Sequence, residues 1–378
     1  MNTPSPESPV QRFYFLDILR GFASLAILIW HYQHFYFDNA ERRPDFDKAS
    51  QPGYLILQPL YDYGELAVYL FFILSGFVFF CLYAEGIARR SVSVKAFIRN
   101  RFSRLYPLHL VTLLLTCGLQ SGHYQLFGAY FVYPYNDLKH FLLQLGLMSY
   151  WGFQDGHSFN GPIWSVSVEV FLYATFFVFC RFLLGKPKFL ILMSLGGLAI
   201  GGIHVGAGIL CFYVGGLLHR LFVHQCSSSG SGFSNGWLPA FAVLITSLVF
   251  YLSTFARSGH LKIHIACVSI LPATVYFLVW LQVRFPGRGK SWAVLGDMTY
   301  ASYLLHFPLQ IVFHTLFILH GFFNPDAPAT LIAFILFTYA LAYLTYRTFE
   351  LPAKIFLRGP TPPPSSASGA LRPSPEAS

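Results

Sequence analysis

The sequence predicts an all-α, polytopic membrane protein of about ten transmembrane helices with both termini in the cytoplasm. Charged residues make up 11% of the 378 positions, against about 25% in ordinary soluble domains. Mean hydropathy is +0.52. Apolar runs of about 20 residues, the length an α-helix needs to cross a bilayer, recur along the chain. Strands of a membrane barrel would alternate apolar and polar residues over short segments, and that pattern is missing. The composition excludes a disordered chain and argues against a soluble multidomain enzyme.

The runs place spans at roughly 13–33, 65–84, 104–121, 164–183, 189–206, 208–224, 237–255, 263–283, 293–319 and 329–348. The first is too long for a signal-peptide core, carries Asp17 and Arg20, and lacks a small-residue cleavage site, so it reads as part of the mature protein. Pro/Ser-rich stretches at 1–10 and 359–378 read as disordered tails around a transmembrane domain at 11–358. Segment 138–150 is apolar but short. If it does not cross, 18 of the 25 Lys and Arg fall on the side of the termini and six on the other, with Arg20 in the membrane. Counting it as a span would move Arg181, Lys186 and Lys188 outward, against the positive-inside bias. The expected location is therefore the cytoplasmic membrane, with both ends inside.

The six cysteines (81, 117, 180, 211, 226, 267) show no paired spacing, so neither a disulfide framework nor a metal site is expected. The net charge of +9 lies mainly in inner loops, and no nucleic-acid partner is expected. The oligomeric state is not legible. No fixed-period repeat appears, which weighs slightly against the alternative of a transporter or exporter of a glycan or anionic small molecule.

Ionisable residues at membrane depth are costly and mark functional sites. In the first span Asp17, Arg20, Ser24 and His31 recur at helical spacing within about a 60° arc. Arg20 and His31 are separated by about 16 Å of rise along that face. Asp17, three residues before Arg20, can pair with its guanidinium. The ninth span carries a second such row, Thr299, Tyr303, His306 and Gln310, suited either to lining the same cavity or to interhelical hydrogen bonding. The fourth span opens with GPIWSVSVEVFLY, where Ser165, Glu169 and Tyr173 share a face. Glu169 lies near the depth of His31, so the two are a candidate base and orienting carboxylate; a Glu buried for packing is the plain alternative. The loop ARRSVSVKAFIRNRFSRLYP places six basic residues in 16 positions. It reads either as a positive-inside loop or as an anion site in which arginines present forks to phosphates. Together these features outline a path from a basic cytoplasmic mouth to a His/Glu pair, His31 and Glu169, near the outer face, suited to a phosphorylated carrier with a long neutral arm such as an acyl-coenzyme A.

At these residues the chain resembles the acyltransferase-3 family of integral-membrane O-acyltransferases over about residues 12–356. LDILRGFASLAILIWH is similar to the family's Arg-x10-His signature, here Arg20 and His31. GELAVYLFFILSGF resembles the second-span motif, FIRNRFSRLYP the Arg-x-Arg motif (Arg99, Arg101), and WSVSVE the Trp-Ser-x-x-x-Glu element (Trp164, Ser165, Glu169). SYLLHFP and FELP resemble late-helix motifs, with His306 and Glu350. Ile18 departs from the frequent glycine of LDGLRG-type openings, and a large periplasmic esterase-like domain of the kind some members append is not expected, which leaves the acceptor open.

The resemblance implies transfer of an acetyl or other short acyl group from cytoplasmic acyl-CoA, acetyl-CoA first among donors, to a hydroxyl. Acceptors in the family are cell-envelope glycans, lipid-linked sugars or small molecules such as macrolides. His31 would act as general base, or form a covalent acyl-histidine. Glu169 would orient the imidazole, and Arg20 would polarise the donor or lock the helix through Asp17. Arg99 and Arg101, with Arg104 beside them, would bind the coenzyme phosphates. Asp17, Trp164, Ser165, Tyr303 and His306 would support the site, and no metal is required.

Overall fold

The computed structural model describes residues 12–38, 41–184, 186–200, 203–227, 237–253 and 259–359. The tails expected at 1–10 and 359–378, except for Gly359, lie outside these residues, as does Arg257. Among the described residues the chain is nearly all helix; its only strands are the two-residue pair Phe37–Asp38 and Glu41–Arg42.

Helix α1 (Tyr14–His31) runs into a short 3-10 turn (Tyr32–Tyr36). α2 (Tyr54–Tyr63) and α3 (Leu66–Ala88) follow, then α4 (Val94–Phe127), α5 (Leu138–Leu145) and α6 (Trp164–Leu183). The second half holds α7 (Pro187–Ala199), α8 (Ile203–Ser227), α9 (Trp237–Ser253), α10 (Gly259–Val268) and α11 (Ile270–Arg284). It closes with α12 (Ala293–Asp297), α13 (Thr299–His320), α14 (Pro328–Thr345), a π-turn (Tyr346–Glu350) and α15 (Leu351–Arg358).

Among the described residues eight helical stretches of 22–34 residues are long and apolar enough to cross a membrane, which makes the protein a multi-pass membrane protein. Runs five and seven form the shorter helices α7 and α9, of 13 and 17 residues. Segment 138–150 yields only the eight-residue α5, about 12 Å long and too short to cross about 30 Å of hydrocarbon. Asp137 caps it, accepting from the His140 backbone N–H at 2.9 Å. That bond and the His140 ring hold the Asp137 carboxyl below the usual carboxylate range.

Two expected spans are broken. Run 263–283 splits between α10 and α11, because Pro272 has no N–H and its ring crowds the carbonyl four residues back, that of Val268. Run 293–319 splits at Met298 into α12 and α13. There Gly296 lies so close to α1 that a side-chain carbon on it would stand 2.7 Å from Asp17 Cβ. The basic segment at 89–104, expected as a loop, is helical from Val94, where Ser93 caps α4 by accepting from Ala96 N–H at 3.2 Å.

Helix α3 packs against α8 through glycines, as membrane helices do where backbones must approach. A side chain on Gly76 would meet the Phe212 carbonyl oxygen at 1.9 Å, and one on Gly215 the Ile73 carbonyl oxygen at 2.2 Å. The main apolar core fills the space among α1, α3, α6 and α8, and a second cluster joins the far end of α1 to α13 and α14.

Candidate active site

The two polar rows foreseen on α1 and α13 face one another. Ser24 Oγ lies 2.9 Å from Ser302 Oγ and 3.0 Å from the Tyr339 hydroxyl. At the end of α1, His31 Nδ1 lies 2.9 Å from His306 Nε2. Gln310, one turn on, donates from its amide to the His31 carbonyl oxygen at 2.7 Å, and its side-chain oxygen accepts from His34 Nδ1 at 3.1 Å. The Tyr133 hydroxyl donates to His34 Nε2 at 3.4 Å. His31 is 3% exposed and His306 not at all. Each neutral imidazole has one N–H, so the pair holds one proton between Nδ1 and Nε2. His31 Nε2 makes no hydrogen bond among the described residues.

Glu169 stands elsewhere. Its Oε1 accepts from Ser75 Oγ at 3.0 Å and from the Tyr173 hydroxyl at 2.7 Å. Matching depth pairs His31 with Glu169, whereas the structure places His306 against the His31 imidazole and Glu169 in the wall of an adjoining cavity. Depth is a single coordinate, and position around the bundle separates the two groups.

That cavity, of about 320 Å³, is lined by Arg20, Arg101, Arg104 and Arg358 against the single carboxylate of Glu169. Ser75, Ser165, Thr299, Tyr83, Tyr300 and Tyr303 add hydroxyls, and Ile27, Phe72 and Phe79 are among its apolar lining. Along α1 it reaches from Arg20 to Ile27, about 10 Å of rise, and stops one turn short of His31. Tyr303 closes that end: its hydroxyl donates to the Pro162 carbonyl at 2.6 Å and accepts from Ser165 Oγ at 2.8 Å. Its ring lies 5.7 Å from that of His306.

At the other end Asp17 does pair with Arg20, at 3.2 Å, and also with Arg12, at 2.5 Å; Arg12 in turn reaches Asp297 at 2.7 Å. Arg101 donates to the Tyr83 hydroxyl at 2.5 Å and lies over the Phe79 and Tyr83 rings. Arg104 makes no hydrogen bond or ion pair among the described residues, and the Nε atoms of Arg101 and Arg358 are buried without partners. Guanidinium forks with unused donors at the end of a cavity are suited to phosphate oxygens.

Arg99 does not join them. It is exposed on α4, whereas Arg101 is buried and Arg104 half-buried. Two helical residues apart is a rotation of about 200°, so Arg99 and Arg101 point to opposite sides; Arg101 and Arg104, three apart, share a face. Trp164 also lies off the cavity and packs on the rings of Tyr150 and His204. Ser75, Tyr83, Tyr300 and Arg358 also line the cavity, and none of them stands out as a site residue in the sequence. The only signal for Arg358 was its i, i+8 register with Glu350.

Fold and site together define a multi-pass membrane protein with an internal cationic cavity leading toward a buried histidine pair. The family model for the acyltransferase domain of acyltransferase-3 proteins matches residues 13–347. The chain is 26% identical over 336 aligned positions to the acyltransferase MdmB of Streptomyces mycarofaciens, covering 79% of each protein. It is 35% identical over 109 residues to protein 2 in the picA locus of Rhizobium radiobacter, covering 29% of this chain and 46% of that one. This chain thus aligns with about half the length of the picA-locus protein. No solved structure matches significantly. The chain belongs to the acyltransferase-3 family and is a membrane acyltransferase.

Proposed function

We propose that the protein is an O-acyltransferase that moves an acetyl or other short acyl group from acyl-CoA to a hydroxyl of a cell-envelope glycan or lipid-linked sugar, or of a macrolide-like small molecule. The observation that carries this reading is the cavity, whose arginine end and apolar shaft lead to within one helical turn of His31. In this reading Arg101, Arg104 and Arg358 hold the coenzyme phosphates at a mouth facing the cytoplasm, and acetyl-CoA is the first donor to test. The neutral pantetheine arm lies along Phe72, Phe79 and Ile27, and the thioester reaches past Tyr303 to His31. The acceptor enters from the far end of α1, where Tyr133 and His34 stand.

His31 acts as general base when its proton sits on Nδ1, donated to His306 Nε2, which leaves the Nε2 lone pair free. That lone pair takes the acceptor's hydroxyl proton as the oxygen attacks the thioester carbonyl carbon. The carbon–sulfur bond then breaks and the imidazolium returns the proton to the departing thiolate, so the products are the ester and free thiol. His306 accepts from the transient imidazolium, the part that an orienting carboxylate plays in other sites. A covalent acyl-histidine route would use the same Nε2 as nucleophile.

The test is transfer from radiolabelled acetyl-CoA by the protein in nanodiscs, with and without an envelope-glycan or lipid-sugar extract. Label should move to the extract with the wild-type protein and not with His31→Ala. Transfer at the wild-type rate in that variant would remove His31 from the reaction.

A further inference from the structure

Beside the first cavity lies a second of about 330 Å³, which shares Arg20 and Arg104 with it and is otherwise lined by Arg12, Asp17, Asp297, Glu350 and Lys354 among others. Two of its carboxylates are already occupied, Asp17 by Arg12 and Arg20, and Asp297 by Arg12. What is left unpaired is Lys354, Arg104 and Glu350, whose Oε2 is buried without a partner.

Glu350, Lys354 and Arg358 stand at i, i+4 and i+8 on the π-turn and α15, so they form one polar face about 12 Å long. Along that face Glu350 and Lys354 line the second cavity and Arg358 the first. The opposite face carries the exposed Ile355 and Phe356. A ligand spanning both cavities would thus meet cations in each, with Arg104 between them.

We propose that the second cavity is a subsite for the phosphorylated nucleoside end of the donor: Lys354 and Arg104 take a ribose phosphomonoester, and Glu350 accepts from a ribose hydroxyl or base N–H. The first cavity keeps the diphosphate and the acyl-bearing arm. The inference rests on the donor reading above and adds to it a basis for telling coenzyme A from its 3′-dephospho form. A mixed-charge pocket suits this role better than a purely basic one, because a nucleoside offers donors as well as phosphate.

Calorimetric binding of coenzyme A and of 3′-dephospho-coenzyme A to the protein in nanodiscs of zwitterionic lipid tests it, and keeps anionic lipid phosphates from competing. The wild-type protein should bind coenzyme A about tenfold more tightly, the loss expected for one charge-assisted bond. Lys354→Gln should narrow that difference to what Arg104 alone supports while leaving the affinity for the dephospho form within about twofold, and Lys354→Arg should restore it. Equal weakening of both ligands by Lys354→Gln, or wild-type binding without discrimination, overturns the subsite and leaves the donor reading standing. Binding of neither ligand to the wild-type protein overturns both.

Discussion

Replacing His306 with alanine removes the one side-chain hydrogen-bond partner that the His31 imidazole has among the described residues and leaves the cavity lining untouched. In the proposed reaction His306 accepts from His31 Nδ1 while that ring carries the acceptor's proton. A hydrogen bond to a charged group contributes about 1.5–3 kcal/mol. At about 1.4 kcal/mol per decade, its loss lowers kcat about 10- to 150-fold. The KM for acyl-CoA should not move, because neither His306 nor His31 lines the arginine cavity. Steady-state transfer in nanodiscs, at saturating acceptor and varied donor, separates the two constants. His306→Gln offers an amide oxygen to the same Nδ1 and should recover part of the loss. His306 is fully buried, so a detergent size-exclusion profile matching wild type is the folding control. A kcat within twofold of wild type, or a change confined to KM, would refute the argument that His306 stabilises the protonated base.

The wall of the cavity supports two further expectations. Glu169→Gln keeps an oxygen to accept from Ser75 and Tyr173 but removes the one carboxylate in the lining of a cavity that holds four guanidiniums. It should retain more than about one-tenth of the transfer rate and bind coenzyme A more tightly; a fall to the His31→Ala level would mean that Glu169 serves the histidine directly. Arg104→Ala should raise the donor KM about tenfold or more, through loss of a charge-assisted contact in a cavity. Arg99→Ala, on the exposed side of α4, should leave it within about twofold; equal effects in donor-saturation curves would contradict the helical phase described here.

Much of the site was legible because membrane helices place few polar residues, and each one therefore stands out. Asp17, Arg20, Ser24 and His31 were readable as one face from spacing alone, and the salt bridge of Asp17 with Arg20 followed from their separation. The row on α13 was readable in the same way. What spacing could not show is that the two rows meet, so that the partner of His31 is a second histidine. Spacing also leaves Arg99 and Arg101 as one motif, because a basic segment between two apolar runs reads as a loop. Once residues 94–104 wind as helix, about 100° per residue sends neighbouring arginines to different sides.

The sequence by itself determined the class of the molecule. Long apolar runs with few charges can only be satisfied as membrane helices, since the bilayer offers no partners for an open backbone. It also determined which residues lie on which helix face, because that depends only on the local period. The tertiary structure alone decided which faces share a cavity. That outcome is set by glycine contacts such as Gly76 with Phe212 and Gly296 with Asp17, which fix the rotation of each helix about its own axis. Rotation about the axis is what brings His306, and not Glu169, to the imidazole of His31.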